Sequence, residues 1–308
     1  MDGPSPALGM TVNRRLPSFI VIGAAKCGTT TLYAYLTRHP AVFMCMPKEP
    51  EFFGRDENFA RGIDWYRSLF DEARDDQACG EASTIYTRWP QFPRAAPRIA
   101  EHLPGAKFVY LMRHPVDRAY SDYVQRIKTA RNLGQVVQVE ETFELHMQRD
   151  PRCVDSSFYM QQIEQYLTFF DRDRFMFLLM EDLIDETVGV LRRVLEFIGV
   201  DADVDLISGD LVVANAARTH HDQFVRTCVT RPLRSVPGVR QLAAAVPKSW
   251  RDAGYRYLAR TAYARRVRER LMPPPMMSET RAELLGRFRE PNRRLAAFLG
   301  RDLSHWDQ

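Results

Sequence analysis

No stretch of this 308-residue chain approaches the roughly 18–20 consecutive apolar residues that a membrane-spanning helix requires. The first residues, Met1-Asp-Gly-Pro-Ser-Pro, have neither the basic segment nor the apolar segment of a secretory signal. Hydrophobic residues make up 45% of the chain, which is enough for a full core. We therefore expect a cytoplasmic protein with one domain over residues 1–308, of which residues 1–16 are flexible.

Cysteines are few as well, with five in the chain, and none of them has the C-x-x-C spacing of a zinc site or a redox pair. They are scattered along the sequence at Cys27, Cys45, Cys79, Cys153 and Cys228. An odd number of isolated cysteines is typical of free thiols in a reducing compartment. The sequence therefore argues against structural zinc.

Acidic residues are scarce in one segment. From Arg218 to Arg270 the chain has 13 Lys and Arg against 3 Asp and Glu, a local balance of +10, whereas the whole chain carries +4. We interpret residues 217–275 as an Arg-rich, α-helical elaboration on the acceptor side. Its charge fits a solvated helix face as well as a lip for an acidic acceptor or a membrane surface. No nucleic-acid-binding motif accompanies it, so we expect no nucleic-acid partner.

The segment from Ser18 to Leu36 reads as a buried strand, a turn of small residues and the start of a helix. Such a turn presents backbone N–H groups to a phosphate. Gly23 and Gly28 have the spacing of a P-loop, but Thr29 stands where that motif has its lysine, and Lys26 lies inside the turn instead.

A second apolar strand, 107–112, ends in Arg113-His-Pro115 and not in an acid. A P-loop kinase places an Asp at such a strand end to complete a magnesium site. Both candidate anion sites are thus built from cations and hydroxyls. We therefore expect no metal, although a P-loop-type nucleotide or small-molecule kinase stays as the alternative.

These two segments resemble those of the sulfotransferases that use 3′-phosphoadenosine 5′-phosphosulfate (PAPS) and release 3′-phosphoadenosine 5′-phosphate (PAP). That family has K-x-G-T-T in the first loop and R-x-P-x-x-R-x-x-S after the later strand, as at 26–30 and 113–121 here. Segments 48–53 and 80–86 resemble the K-E-P-x-F-F and E-x-[ST]-x-x-Y segments of the heparan-sulfate-type branch and its bacterial relatives. The resemblance covers about residues 17–200 and the last thirty or so.

The resemblance implies a role for each matching residue. In the first loop, the residues that would bind the 5′-phosphosulfate are Lys26, Cys27, Gly28, Thr29, Thr30 and Thr31. Arg113 and Ser121 would bind the 3′-phosphate, and Tyr159 matches a donor-side position in relatives. Thr31 fits an ordinary first-turn residue equally well, and Tyr159 fits a core aromatic.

Lys26 would also stabilise the charge that develops on the leaving oxygen, which makes it a catalytic residue. The family's base maps to Glu49, which would accept the proton of the acceptor. Glu51 is the alternative, although in an extended loop it would point the other way. His114 and the pair at 220–221 are further candidate bases.

Cys27 lies beside Lys26 and at the start of a helix, and both features favour the thiolate. We therefore expect Cys27 to be the most reactive of the five cysteines. Arg118, in the same motif as Arg113, is interpreted as structural.

Apolar strands alternate with helices along the chain, which predicts an α/β fold with a P-loop-like parallel sheet flanked by helices and an α-helical C-terminal elaboration. The predicted function is transfer of a sulfuryl group from PAPS to a hydroxyl, less readily an amine, of a glycan, glycolipid or natural product. The acceptor would be a small molecule or glycan-like, and acidic or membrane-associated. A PAP-binding protein without catalysis is a further alternative.

Overall fold

The computed structural model describes residues 16–132, 142–203, 205 and 273–308. Its strands are β1 (Phe19–Gly23), β2 (Val42–Met44), β3 (Ala78–Ala82), β4 (Lys107–Met112) and β5 (Phe175–Leu179). Its α-helices, numbered over the described residues, are α1 (Thr29–Leu36), α2 (Asp56–Phe59), α3 (Ile63–Ser68), α4 (Ala95–His102), α5 (Pro115–Asn132), α6 (Phe143–Arg149), α7 (Arg152–Asp155), α8 (Tyr159–Leu167), α9 (Met180–Asp185), α10 (Thr187–Ile198) and α11 (Ser278–Leu299). Short 3-10 helices cover Thr84–Thr87, Arg172–Arg174 and Ser304–Asp307.

The chain divides into two compact units. The first consists of Met1–Met112 and Gln161–Leu211, and the second of Arg113–Met160 and Val212–Gln308. The expectation of one domain over 1–308 stays a prediction. Of the Arg-rich segment 217–275, only residues 273–275 are described, so its predicted helices, like Cys228 and the histidine pair at 220–221, lie outside the described residues.

The first unit contains a five-stranded sheet in the order β2-β3-β1-β4-β5. Every neighbouring pair is parallel, so all the strands end at the same edge. All five residues of β1 are buried, as are five of the six in β4. Strands covered on both faces read as continuous apolar runs, which is why the sequence predicted these strands and the α/β class correctly.

The second unit has its own apolar core. Its largest contributors are Tyr123 of α5, Phe143 of α6 and Phe288 of α11. Arg118 is fully buried beside this core, where its guanidinium donates to Ser157 Oγ (2.6 Å) and to the carbonyl of Cys153. The structural role expected for Arg118 is thus confirmed.

Element ends differ modestly from the sequence predictions. The helix expected over Phe92–His102 begins at Ala95, because the chain is still turning at residues 90–94. The helix expected over 157–170 covers Tyr159–Leu167. Among the described residues, none of the helices combines the length and the apolar character that crossing a bilayer demands.

Candidate functional site

The loop after β1 turns sharply at Gly23. A Cβ at this position would collide with Thr87 Oγ1, which itself donates to the carbonyl of Ile22 (3.0 Å). The next residue, Ala24, donates its N–H to the carbonyl of Leu111 in β4 (2.7 Å). The start of the loop is therefore fixed against two neighbouring segments of the first unit.

Helix α1 begins directly after this loop. Its N-cap residue Gly28 has φ 90°, a left-handed conformation that favours glycine, while a Cβ there would meet only ordinary contacts. The N–H groups of Thr31 and Leu32 both donate to the carbonyl of Gly28 (3.0 Å each). The N–H groups of Thr29 and Thr30 belong to the first turn, where an α-helix offers no acceptor. This arrangement is the one that anions favour at a helix start, and the binding of a phosphate by these residues stays a prediction.

Burial sorts the residues of this loop into two groups. Lys26, Gly28 and Thr30 are partly or fully exposed, whereas Cys27, Thr29 and Thr31 are buried. The exposed fraction of Cys27 is 0%, and its N–H donates to the carbonyl of Ala24 (3.2 Å). The prediction that Cys27 is the most reactive thiol stays a prediction, and burial gives it no advantage, because Cys45, Cys79 and Cys153 are buried as well.

Glu49 lies on the loop that follows β2. Its N–H donates to the carbonyl of Ala82, the last residue of β3 (3.1 Å). Lys48 Nζ forms an ion pair with Glu49 Oε1 at 2.6 Å, and Thr84 Oγ1 lies 3.5 Å from the same oxygen. The side chain of Glu49 keeps an exposed fraction of 36%. It is therefore oriented at one oxygen while it remains open to solvent.

Glu51 has different surroundings. Its carboxylate forms an ion pair with Arg55 and is exposed to only 18%. Hydrogen bonding to Glu51 raises the pKa of Arg55. The loop is not extended as the sequence analysis assumed, because Glu49 (φ 62°) and Glu51 (φ 53°) are both left-handed. The two carboxylates are distinguished by their partners instead.

Three residues other than glycine have a positive φ among the described residues, and they are Lys26 (72°), Glu49 and Glu51. Such a conformation costs roughly 1–3 kcal/mol in a residue with a side chain. Strain of this kind is concentrated at functional sites, where the surrounding contacts hold it in place. Lys26 and Glu49, which the sequence proposed as catalytic, are thus two of the three strained positions.

In the second unit, Arg113 stands directly after β4 and is partly exposed. Tyr159, which is buried, donates its hydroxyl to the carbonyl of Arg113 (2.8 Å) and accepts its N–H (3.3 Å). Tyr159 therefore fixes the main chain of Arg113, and its direct contact with a donor stays a prediction. Ser121 is half-buried in the second turn of α5.

Of the histidines named as further candidate bases, His114 lies among the described residues. Its Nδ1 accepts the N–H of Asp117 (3.4 Å), which gives it a capping role at the start of α5. Burial is the main cause that lowers its pKa. Within residues 16–132, 142–203, 205 and 273–308, no group of His, Cys, Asp and Glu is arranged to hold a metal ion.

The sequence analysis assigned no role to Thr84 or Glu81. Thr84 approaches Glu49, and Glu81 is a fully buried acid on β3. Both belong to segment 80–86, whose resemblance to a family motif was noted, so the signal was present. What the sequence could not supply was the contact of Thr84 or the burial of Glu81.

The family model described as "Sulfotransferase domain" matches residues 16–229. The chain is 31% identical over 188 residues to the human heparan sulfate glucosamine 3-O-sulfotransferase 6, covering 61% of this chain and 53% of that protein. It is 30% identical over 204 residues to the human bifunctional heparan sulfate N-deacetylase/N-sulfotransferase 3, covering 60% of this chain and 22% of that protein. The chain thus spans about half the length of the first of these relatives, and less of the second.

A solved structure is similar over nearly the whole chain. It is the sulfotransferase from Alicyclobacillus acidocaldarius, with a TM-score of 0.65 and 25% identity, covering 96% of this chain and 100% of that one. The parallel sheet with a P-loop-like turn is therefore an arrangement that this structure shares.

Proposed function

Because the chain belongs to the sulfotransferase-domain family, we propose that it is an enzyme that transfers a sulfuryl group from PAPS to an acceptor hydroxyl. One observation carries the proposal. In the first unit, the reaction needs a cation on the loop after β1 and a carboxylate base. Lys26 and Glu49 are these two residues, and both are held in a strained, left-handed conformation.

The donor would be bound through its two charged ends. Lys26, Gly28, Thr29 and Thr30 supply an ammonium group and the N–H groups of a helix start for the 5′-phosphosulfate. Arg113, at the end of β4, has the planar fork that suits the 3′-phosphate, and its main chain is fixed by Tyr159. Ser121 follows in the same motif. Cys27 and Thr31 would support the loop from its buried side.

In the proposed reaction, the acceptor oxygen forms a bond to sulfur while the bond from sulfur to the 5′-phosphate oxygen breaks. The acceptor proton passes to the carboxylate of Glu49, and the electron pair of the broken bond stays on the phosphate of PAP. Lys26 stabilises the negative charge that develops there. The pairing of Lys48 with Oε1 of Glu49 leaves the other carboxylate oxygen for the acceptor.

Glu51 is less suited to the role of base. Its ion pair with Arg55 and its lower exposure leave the carboxylate committed to a structural contact. Its N–H also donates to Ser83 Oγ (3.1 Å), which ties the residue to the end of β3. Glu51 thus helps to hold the loop in which Glu49 is presented.

For the acceptor we propose a hydroxyl group on a glycan-like molecule, with an amine as the less favoured alternative. The names of the relatives support this range, since one is a 3-O-sulfotransferase and another an N-sulfotransferase, both of heparan sulfate. Glycolipids and natural products with sugar-like hydroxyls fall in the same chemical class. No metal is needed in this proposal, in contrast to a kinase.

The experiment is transfer of ³⁵S from labelled PAPS to a panel of glycans and to extracts of the native cell, with EDTA present. Glu49→Gln keeps the shape of the side chain but cannot take a proton, so turnover should fall by about 10²–10⁴-fold with PAP affinity unchanged. Glu51→Gln is the matched control and should lose less than about tenfold. Phosphoryl transfer from ATP that requires Mg²⁺, with no ³⁵S transfer from PAPS, would contradict the proposal. A larger loss of turnover in Glu51→Gln than in Glu49→Gln would contradict it as well.

A further inference from the structure

The main chain of Arg113, the residue proposed for the 3′-phosphate, is held at both of its polar groups by one side chain. Tyr159 Oη donates to the carbonyl of Arg113 (2.8 Å) and accepts the N–H of Arg113 (3.3 Å). The direction in which Arg113 leaves the end of β4 therefore depends on where the ring of Tyr159 lies.

The ring of Tyr159 lies against the indole of Trp306. Their ring centroids are 5.9 Å apart, with an angle of 53° between the two ring planes. The exposed fraction is 0% for Trp306 and 2% for Tyr159, so both rings are part of the core of the second unit. Aromatic pairs at this separation attract each other beyond the effect of the area that they bury. Because protein cores are close-packed, a change of volume at Trp306 also changes the support of Tyr159.

A short turn after α11 determines where Trp306 enters the core. Gly300 ends that helix with a left-handed φ of 64°, a conformation that favours glycine. The carboxylate of Asp302 then accepts the N–H of Ser304 (2.8 Å) and its hydroxyl (3.1 Å), at the start of the 3-10 helix that carries Trp306. Local contacts in segment 300–306 thus fix the main chain from which the indole projects.

A second link connects the same part of the chain to the helix that follows Arg113. Arg281 of α11 donates to Asp117 Oδ1 in the first turn of α5 (2.9 Å) and to the main-chain oxygen of Gln308 (3.4 Å). Asp117 donates its N–H to Nδ1 of His114 (3.4 Å). The side chains of Arg281 and Asp117 are exposed to 41% and 42%, and ion pairs this exposed contribute little. The buried contact of Trp306 with Tyr159 is therefore the stronger of the two links.

We propose that Trp306 is a positioning residue for the 3′-phosphate of the donor, acting through Tyr159 on the main chain of Arg113. A guanidinium group binds a phosphate through paired N–H bonds of fixed geometry, so this binding depends on how the main chain is held. A residue that is already in place loses less conformational entropy when its ligand binds. The ligand named in this inference rests on the proposed role of Arg113, whereas the attachment of Arg113 to Trp306 can be measured without a ligand.

Hydrogen exchange at the amide of Arg113 measures that attachment. This N–H donates to Tyr159 Oη, so Trp306→Leu should accelerate its exchange. Tyr159→Phe removes the hydroxyl and keeps the ring, and it should have the same effect. We expect exchange about tenfold faster in both variants, which corresponds to the loss of one hydrogen bond. The amide of Asp150, which donates to the carbonyl of His146 (2.8 Å), is the reference in the same unit and should not change.

Calorimetry measures the consequence for the ligand. The two probes are PAP and adenosine 5′-phosphate, which differ only by the 3′-phosphate, so the quotient of their dissociation constants gives the preference for PAP. Trp306→Leu should lower this preference by about tenfold, whereas Trp306→Phe, which keeps an aromatic ring against Tyr159, should retain it. In Arg113→Ala the guanidinium is gone, so adding Trp306→Leu should lower the preference no further.

Phe143→Leu is the matched control for these variants. Phe143 is fully buried in the same unit, where its ring packs against Tyr123 at 5.5 Å. The substitution removes an aromatic ring from this core, as Trp306→Leu does, but at a different aromatic contact. It should leave both the exchange at Arg113 and the preference for PAP unchanged.

Unchanged exchange at Arg113 in Trp306→Leu would overturn the proposal. Equal acceleration at Arg113 and Asp150, or equal losses of affinity for the two nucleotides, would overturn it too, because Trp306 would then support only global stability. If Trp306→Leu fails to fold, the wild type with 5-fluorotryptophan decides. Its fluorine resonance at Trp306, assigned with Trp306→Phe, should shift with PAP more than with adenosine 5′-phosphate, and equal shifts would overturn the proposal.

The donor site and the attachment fail separately. A preference for PAP that Arg113→Ala does not change would refute the donor site, and with it the ligand named here. Faster exchange at Arg113 in Trp306→Leu would still support the attachment in that case, because this measurement uses no nucleotide.

Discussion

Replacing Glu81 by glutamine should make the stability of the protein less dependent on pH. The pKa of Glu81 is raised in the folded protein from 4.5 to about 8, because burial of the carboxyl group outweighs the hydrogen bonds of Tyr86 and Tyr66, which lower it. Between these two values the folded state holds a proton that the unfolded state has lost. The free energy of unfolding of the wild type therefore falls as pH rises from about 4.5 to about 8, and this contribution is constant outside that window.

The magnitude follows from the size of the shift. At pH 7 the folded state must take up a proton at 2.5 pH units above the ordinary pKa of 4.5, which costs about 3 kcal/mol. Above pH 8 the full cost is about 5 kcal/mol. Domains are stable by about 5–15 kcal/mol in total, so the effect is large enough to measure.

The assay is urea unfolding at several pH values from 4 to 9, followed by circular dichroism. The difference in unfolding free energy between Glu81→Gln and the wild type should increase with a slope of one proton and then level off near pH 8. Glu81→Met is the matched control. It removes the same proton but packs differently, so its curve should have the same slope with a different offset. A difference that does not change with pH in both variants would show that Glu81 is ionised in the folded protein and would refute the reasoning.

The sheet could be predicted because β1 and β5 are uninterrupted apolar runs and β4 is apolar after Lys107, whereas β3 carries Glu81 and was placed by the small residues around it. Strands β1, β3, β4 and β5 lie where the sequence placed them, to within a residue at their ends. Strand β2 (Val42–Met44) was missed because three residues are too few to show a pattern, and Phe43 is only half-buried. Helix α9 (Met180–Asp185) was missed because the apolar run before it was expected to stay a strand through Met180.

The candidate site was predictable as a set of motifs but not as a set of conformations. Short sequence patterns led to Lys26 and Glu49, but not to their left-handed backbone, which for Glu49 is held by a hydrogen bond to Ala82, a residue distant in sequence. The same limit applies to Cys27, whose burial depends on the direction in which one turn faces. The cytoplasmic location and the role of segment 217–275 stay predictions.

Burial is the property that a motif conveys least. Glu81 occupies a motif position that reads like any acidic strand end, yet its surroundings make it a neutral group at ordinary pH. The pairing of Glu51 with Arg55 is the converse case. The sequence preferred Glu49 to Glu51 as the base from a motif and an assumed extended loop, whereas the structure distinguishes the two carboxylates by their contacts. In both cases the decisive quantity is the dielectric and charge environment, which arises from residues brought together only by folding.

Two further predictions concern the donor side. Cys27 should be alkylated by iodoacetamide no faster than the other buried cysteines, because its sulfur is fully buried; peptide mapping after a brief exposure measures this, and fastest labelling of Cys27 would contradict it. Arg113→Ala should weaken PAP by about a hundredfold but adenosine 5′-phosphosulfate, which lacks the 3′-phosphate, by little, since a guanidinium group bonded to a phosphate is worth about 1.5–3 kcal/mol. Calorimetry with both ligands gives the two losses, and Arg113→Lys is the matched control. Lysine keeps the charge without the planar fork, so it should restore part of the affinity for PAP. Equal losses for both ligands would show that Arg113 does not contact the 3′-phosphate. The two hydrogen bonds from Tyr159 to the main chain of Arg113 would then have a structural role only.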